Sequence, residues 1–257
     1  MTIKFTILGC GSSLGIPRID GYFGKCNPKN KKNYRTRCSA LISTKNINFL
    51  IDTSPDIKNQ LLNNKVKFIN RVFYTHGHGD QTHGINELRP FYLKSQKKIP
   101  IHADKNTKKY LKKSFEYCFQ DSKNYPATLK MEKLNKIHFY KDINVKIKIR
   151  SVLVQHGYIK SICYIINDKC AYAPDVNKIF LKDLRYFKKL KYLIIDCLRY
   201  KPHPSHFCLD DVLNFVKATK PKKTILTNLN NDIDYSEIKK KLPKNIVPAY
   251  DGLNLLI

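Results

Sequence analysis

A short apolar run followed by a loop of alternating histidines constrains this chain more than any other segment. Residues 72–75 are typical of a buried strand, and the next loop presents His76, His78 and Asp80 with single glycines between them. In an extended loop, residues i and i+2 lie on one side, so two imidazoles and one carboxylate can converge. Such ligands together suit zinc, iron or manganese. The spacing therefore predicts a metal site, whereas two surface histidines in a turn would need no such pattern.

Strand-like and helix-like segments alternate along all 257 residues. The predicted strands are short apolar runs bounded by turn residues, at 3–8, 39–43, 48–51, 71–74, 145–149, 162–166, 170–172, 192–195 and 224–227. The predicted helices are 55–62, with Ser54 as its N-cap, and 105–119, 178–187, 209–218 and 235–241. No linker-like stretch separates the two β-rich halves. The sequence therefore predicts one domain, residues 1–257, with helices outside the strands.

Charge and cysteine usage limit the class of protein. The chain carries 48 Lys plus Arg against 20 Asp plus Glu, a net charge of +28, which would draw a domain towards nucleic acid. The lysines are spread along the whole chain, however, which favours solvated surface charge. The 8 cysteines form no C-x-x-C pair, and no apolar run reaches the roughly 18 residues of a membrane span. We therefore expect a soluble cytoplasmic protein with reduced thiols and no membrane partner.

The histidine loop resembles the H-x-H-x-D-H signature of the metallo-β-lactamase superfamily. Further segments match that family in order and spacing, namely Gly9-Cys-Gly-Ser-Ser-Leu-Gly, Phe49-Leu-Ile-Asp, Gln155-His-Gly, Ala173-Pro-Asp, Arg199-Tyr-Lys-Pro-His-Pro-Ser-His and Leu226-Thr-Asn. The series is most similar to the branch that contains phosphoribosyl 1,2-cyclic phosphate phosphodiesterase and, more distantly, tRNase Z. The resemblance implies an α/β fold, a single-domain four-layer αββα sandwich.

The resemblance also implies a set of metal ligands. The first site would take His76, His78 and His156, with Asp175 bridging to a second site that contains Asp80. Two amides stand where the family has histidines of the second site, Gln81 in the signature and Asn228 after a strand. An amide oxygen suits manganese or magnesium better than zinc. We therefore expect one or two ions of Zn²⁺ or Mn²⁺ per chain.

Other family roles can be carried over to individual residues. Asp80 would orient the attacking water and His206 would protonate the leaving group as general acid. Asp52 would brace an imidazole by accepting its second N–H, or else cap a turn. The substrate-binding candidates, each of which could instead be an ordinary surface side chain, are His203, Arg199 and Arg37. His83 could replace the missing imidazole, but we expect it to pack in the turn that follows the loop.

These assignments predict a metal-dependent hydrolase. The activity that the resemblance favours is a phosphodiesterase that cleaves a small cyclic or nucleotide-like phosphate ester with a metal-activated water. One alternative is a nuclease of the tRNase Z type acting on RNA or single-stranded DNA. Another is a catalytically weakened member whose second metal site is degraded at Gln81 and Asn228. The family resemblance also leads us to expect a homodimer.

Overall fold

The computed structural model describes residues 2–123 and 125–257 and contains two seven-stranded sheets. The first sheet is made of β1 (Lys4–Gly9), β2 (Ser39–Ser43), β3 (Asn48–Ile51), β4 (Arg71–Phe73), β5 (Ile99–Ala103), β6 (Leu129–Lys133) and the last strand, β14 (Leu253–Leu256). The second sheet is made of β7 (Ile137–Asp142), β8 (Val145–His156), β9 (Ile159–Ile166), β10 (Cys170–Ala173), β11 (Tyr192–Asp196), β12 (Lys223–Thr227) and β13 (Ile246–Pro248).

Strand direction brings the candidate site residues to one region. In the first sheet the order is β14-β1-β2-β3-β4-β5-β6, and the strands from β3 to β6 run parallel. In the second sheet the order is β13-β12-β11-β10-β9-β8-β7, and the strands from β10 to β13 run parallel. Parallel strands place their carboxyl ends on one edge of a sheet, where ligands commonly bind. The loops after β4, β10, β11 and β12 carry most of the predicted site residues, while His156 ends β8, Asp52 follows β3 and Arg37 precedes β2.

Seven α-helices lie between the strands of the described chain. They are α1 (Ile57–Asn63), α2 (Gly79–Thr82), α3 (Arg89–Ser95), α4 (Lys105–Ser114), α5 (Glu116–Phe119), α6 (Leu209–Thr219) and α7 (Tyr235–Lys241). Side-chain caps define two of their starts: Asp104 accepts the backbone N–H of Thr107, and Asp234 accepts those of Ser236 and Glu237. A carboxylate at this position satisfies N–H groups that have no partner within the helix.

Three apolar layers confirm the predicted αββα sandwich. Along β9, Ile162, Tyr164 and Ile166 face the layer shared by the two sheets, while Cys163 and Ile165 face the outer layer of the second sheet. This alternation follows from the two-residue period of a strand. The outer layer of the first sheet is covered by α1 and α4, and that of the second sheet by α6 and α7.

Three predicted helices differ from the observed ones. The helix predicted at 105–119 breaks at Phe115, whose φ of −130° and ψ of 41° are not helical. The helix predicted at 178–187 is a 3-10 helix that begins only at Leu181, because Lys178 forms a strand-like bridge with Gln155. The helix predicted at 55–62 begins at Ile57 with Asp56 as its N-cap, so the assignment of Ser54 as the cap was wrong.

The cysteines behave as the sequence predicts. All eight are buried and unpaired. Cys26 lies 3.3 Å from the backbone oxygen of Ile233, so its thiol contacts the backbone of the segment before α7. Among the residues that the structure describes, no helix has the length and apolar character needed to cross a bilayer.

Candidate metal centre

Three histidines meet beyond the end of β4. His76 and His78 lie in the loop after this strand, and His156 is the last residue of β8. One ligand nitrogen from each lies within 4.8 Å of the other two. Nε2 of His76 is 2.9 Å from Nδ1 of His78. His76 and His156 are buried whereas His78 is exposed, so the cluster has one open side. The predicted grouping of these histidines is therefore present.

The ring of His156 is fixed by the backbone of a later loop. Its Nδ1 is 2.7 Å from the carbonyl oxygen of Ser205. A carbonyl can only accept, so Nδ1 carries the hydrogen and the lone pair of the neutral ring is on Nε2. Burial, followed by the charge of His206, lowers the pKa of His156 to about 4. The ring is therefore neutral near pH 7 and can bind a cation.

His76 is held by a relay that begins at Asp52. The carboxylate of Asp52 accepts two hydrogen bonds of 2.8 Å, from the backbone N–H and from the hydroxyl of Thr75. The hydroxyl oxygen of Thr75 is in turn 3.0 Å from Nδ1 of His76. With Asp52 ionised, the hydroxyl donates to Asp52 and accepts from Nδ1, which puts the lone pair of His76 on Nε2, the nitrogen that faces His78. Asp52 thus acts on the imidazole through Thr75. The prediction that Asp52 accepts the imidazole N–H directly was therefore wrong.

Two carboxylates and two amides form the wall beside the histidines. Nε2 of Gln81 is 3.1 Å from Asp80 Oδ2 and 3.3 Å from Asp175 Oδ2. Nδ2 of Asn228 is 3.5 Å from Asp175 Oδ1. Gln81, Asn228 and Asp175 are buried, while Asp80 is half-buried. The structure therefore brings the two expected amides to the same carboxylate, and their nitrogen atoms face it.

His206 is paired with a buried carboxylate that the sequence analysis missed. Its Nδ1 lies 2.6 Å from Oδ2 of Asp196, the last residue of β11. Burial opposes a charge on His206, but the Asp196 charge and hydrogen bond outweigh it, so the pKa of His206 is raised. The signal for Asp196 in the sequence was a carboxylate that ends an apolar strand. This pair can hold a proton beside His156, whose ring centroid is 4.7 Å from that of His206.

The remaining predicted residues lie at the edge of the site or are engaged elsewhere. The ring centroid of His203 is 5.1 Å from that of His206. Arg199 donates to the backbone oxygens of Lys201 and Pro202, and so supports its own loop. Arg37 forms a 2.9 Å ion pair with Asp56. The prediction for His83 is confirmed, because its Nε2 is 2.8 Å from the hydroxyl of Tyr110 on α4.

The donor set fits a divalent cation. Burial and the charges of Asp80 and Asp196 raise the pKa of Asp175 well above its ordinary value, a penalty that a nearby cation would offset. Burial and the neighbouring histidines likewise lower the pKa of His76, which favours the neutral ligand form. A buried acceptor, Oε1 of Gln81, has no hydrogen-bond partner among the described residues. Neutral imidazoles beside ionisable carboxylates are the usual ligands of zinc and manganese.

Comparison with known proteins identifies the family. A family model described as the beta-lactamase superfamily domain matches residues 47–227. A solved structure described as a new diphosphatase from the PhnP family is 30% identical, with a TM-score of 0.90, and the match covers 100% of this chain and 98% of that one. The chain belongs to the PhnP family of metallo-β-lactamase-fold hydrolases. The histidine cluster of this PhnP-family chain fits the divalent metal ions that the metallo-β-lactamase fold implies.

The chain is also similar to one solved structure of low sequence identity and to part of one longer curated protein. Zn²⁺-bound PqqB from Methylobacterium extorquens is 14% identical with a TM-score of 0.74, and the match covers 98% of this chain and 99% of that one. An octanoyltransferase from Porphyromonas gingivalis is 27% identical over 259 residues, which are 99% of this chain and 52% of that protein. The chain thus spans about half the length of this curated relative.

Proposed function

We propose that this hydrolase is a phosphodiesterase that cleaves a small cyclic or nucleotide-like phosphate ester. The observation that carries the proposal is the convergence of three histidines whose ligand nitrogens lie within 4.8 Å of one another. The paired His206 and Asp196 lie directly beside this cluster. The proposed ligands of the cation, which is zinc or manganese, are His76, His78, His156 and Asp175.

Each side chain has a distinct part in the proposed reaction. A bound divalent cation would lower the pKa of water and polarise the phosphoryl oxygen. Asp80, which is half-buried beside Gln81, orients the attacking water and accepts its proton. His206 donates its proton to the leaving alkoxide, and Asp196 keeps the ring oriented and favours its charged form.

Two neighbouring groups hold the proposed ligand rings in the tautomers that present a lone pair. The hydroxyl of Thr75 holds His76, and the backbone oxygen of Ser205 holds His156.

The open side of the cluster and one relative support the proposed substrate class. His78 is exposed and His203 is half-buried beside His206, so a phosphate can reach the proposed ligands from solvent. His203, Arg199 and Arg37 are the proposed phosphate contacts, although the two arginines must exchange their present partners to reach a substrate. Because the 30%-identical relative is a diphosphatase, a diphosphate-bridged nucleotide is included with cyclic phosphodiesters in the proposed class.

The test compares His78→Ala with His83→Ala. Both changes remove an exposed imidazole, but only His78 belongs to the histidine cluster. Purified proteins are assayed with bis(p-nitrophenyl) phosphate, a cyclic nucleotide and a dinucleoside diphosphate, and bound metal is measured by plasma mass spectrometry. We expect His78→Ala to lose metal and activity together, while His83→Ala keeps both. Full metal retention by His78→Ala would refute the ligand assignment, and inactivity of the wild type on all three substrates would refute the phosphodiesterase.

The net charge of +28 favours a nuclease as the second candidate. Binding that neutralises many phosphates weakens steeply with salt, since it releases condensed counterions. RNA affinity that falls by orders of magnitude between about 50 and 200 mM salt would support a nuclease. Affinity that is indifferent to salt would leave the small phosphate ester as the substrate.

The proposed cytoplasmic location is favoured by the eight unpaired thiols and is tested by cell fractionation. The proposed homodimer is tested by light scattering.

A further inference from the structure

The side-chain amides of Gln81 and Asn228 lie at the two oxygens of the Asp175 carboxylate. Gln81 Nε2 lies 3.3 Å from one carboxylate oxygen of Asp175, and Asn228 Nδ2 lies 3.5 Å from the other. Each amide also donates to a second carboxylate: Gln81 to Asp80 at 3.1 Å, and Asn228 to Asp196 at 3.1 Å. Two NH₂ groups are thus shared among three acidic side chains.

We propose that the chain holds a single divalent cation, at the three histidines and Asp175, and that these two amides replace a second cation. This inference rests on the proposed metal centre and specifies its composition. A second cation among Asp80, Asp175 and Asp196 would bring the carboxylates together by charge. Here the same carboxylates are bridged by the N–H groups of the two amides.

The orientation of each amide follows from its neighbours. An amide nitrogen has two hydrogens to donate and a carboxylate has only lone pairs to accept them, so the nitrogen must face the carboxylates. With either amide reversed, an oxygen would face two acidic oxygens and the buried N–H groups would lose their partners. Gln81 and Asn228 are 0% and 2% exposed, so water does not readily replace these bonds.

The backbone holds Asn228 where it can act in this way. Its φ is +58°, in the left-handed region that Asn and His tolerate better than most residues. The next residue is anchored by a 2.9 Å hydrogen bond from Leu229 N–H to the oxygen of Cys10. Gln81 lies in α2, with its own N–H bonded to the oxygen of His78 at 3.1 Å. Both side chains therefore leave fixed points of the backbone.

The first experiment measures metal stoichiometry, which is independent of catalysis. The wild type, freed of metal and dialysed against Zn²⁺ or Mn²⁺, should bind one equivalent by plasma mass spectrometry. The double variant Gln81→His/Asn228→His should bind two. The control Gln120→His/Asn245→His adds the same two imidazoles at exposed positions and should remain at one. Two equivalents in the wild type, or one in the Gln81→His/Asn228→His protein with its first metal retained, would overturn the inference.

A second measurement uses the wild type alone, in case the double variant does not fold. Electron paramagnetic resonance of the Mn²⁺-loaded protein should show the signal of an isolated ion. A spectrum of two coupled Mn²⁺ ions would overturn the inference while leaving the proposed hydrolase function intact. A wild type that binds neither Zn²⁺ nor Mn²⁺ would instead refute the metal centre on which both proposals rest.

Discussion

Asp196 Oδ2 lies 2.6 Å from Nδ1 of His206 and 3.0 Å from the backbone N–H of Val176. The carboxylate therefore joins the end of β11 to the segment after β10, and it orients the ring of His206 beside that of His156. A buried carboxylate that orients an imidazole in this way favours the charged ring, which is the form that can donate a proton.

Replacement of His206 by Asn should separate proton donation from metal binding. We expect kcat for an ester with an alkoxide leaving group to fall about 10²- to 10⁴-fold, because a general acid contributes this range. Hydrolysis of a p-nitrophenyl ester should fall much less, since p-nitrophenolate leaves without a proton. Metal content should stay at the wild-type level. Loss of metal would instead show that His206 is a ligand. Its position allows this, because one ring nitrogen of His206 lies within 4.8 Å of ligand atoms of His156 and Asp175.

Replacement of Thr75 by Val should weaken metal binding without removing a ligand. The change deletes the hydroxyl that links Asp52 to His76, and loss of such a supporting hydrogen bond typically costs 10- to 100-fold in affinity, about 1–3 kcal/mol. The matched control is Thr224→Val, because the Thr224 hydroxyl is buried and has no hydrogen-bond partner among the residues that the structure describes. Titration of the metal-free proteins with Zn²⁺ measures both. Equal affinity of Thr75→Val and wild type would exclude a role for the relay.

Glycines in and near the histidine loop should differ in their tolerance of a methyl group. A Cβ on Gly84 would lie 2.0 Å from the backbone oxygen of Ser54, whereas one on Gly77 would make an ordinary contact of 3.5 Å with Tyr110. We expect Gly84→Ala to lower the free energy of unfolding by about 1–3 kcal/mol and Gly77→Ala to change it by less than about 0.5 kcal/mol. Urea denaturation measures both values, and equal losses would contradict the contact geometry.

The buried ring of His138 should make stability depend on pH. Burial, aided by the charges of His102 and Arg71, lowers its pKa from 6.5 to about 4. Between these values the unfolded chain binds the extra proton, so the contribution is complete above about pH 6.5 and is lost as pH falls towards 4. We expect about 2 kcal/mol to be lost from pH 7.5 to 4.5. His138→Gln should show a correspondingly smaller loss; an unchanged slope in denaturant titrations would contradict this assignment.

Segments with a strong local pattern were predictable from the sequence. The helix at 235–241 was predicted with its observed bounds, because Asp234 caps its start and lysines fill its last turn. The strands at 39–43 and 48–51 were likewise predicted with their observed bounds. The convergence of His76 and His78 was predictable because histidines and glycines alternate directly after a strand. In each case the signal depends on residues close together in the chain.

Features that depend on distant residues were not predictable in the same way. β5 and β13 each contain a proline, which weakens a strand pattern, and they form because neighbouring strands pair with them. Phe115 interrupts the predicted helix where its ring packs 5.8 Å from that of His83. Asp196 gained its role only when the fold brought it to His206, which lies ten residues further along the chain. Local preference cannot report such contacts.

The two amides beside Asp175 come from different halves of the sandwich. Gln81 follows β4 of the first sheet and Asn228 follows β12 of the second, and they meet on opposite oxygens of one carboxylate. A change of one amide to imidazole would leave the other N–H group facing a newly bound cation. Substitutions at these positions should therefore be coupled in evolution. Among homologous sequences we expect 81 and 228 to covary, with paired histidines or paired amides more frequent than mixed pairs.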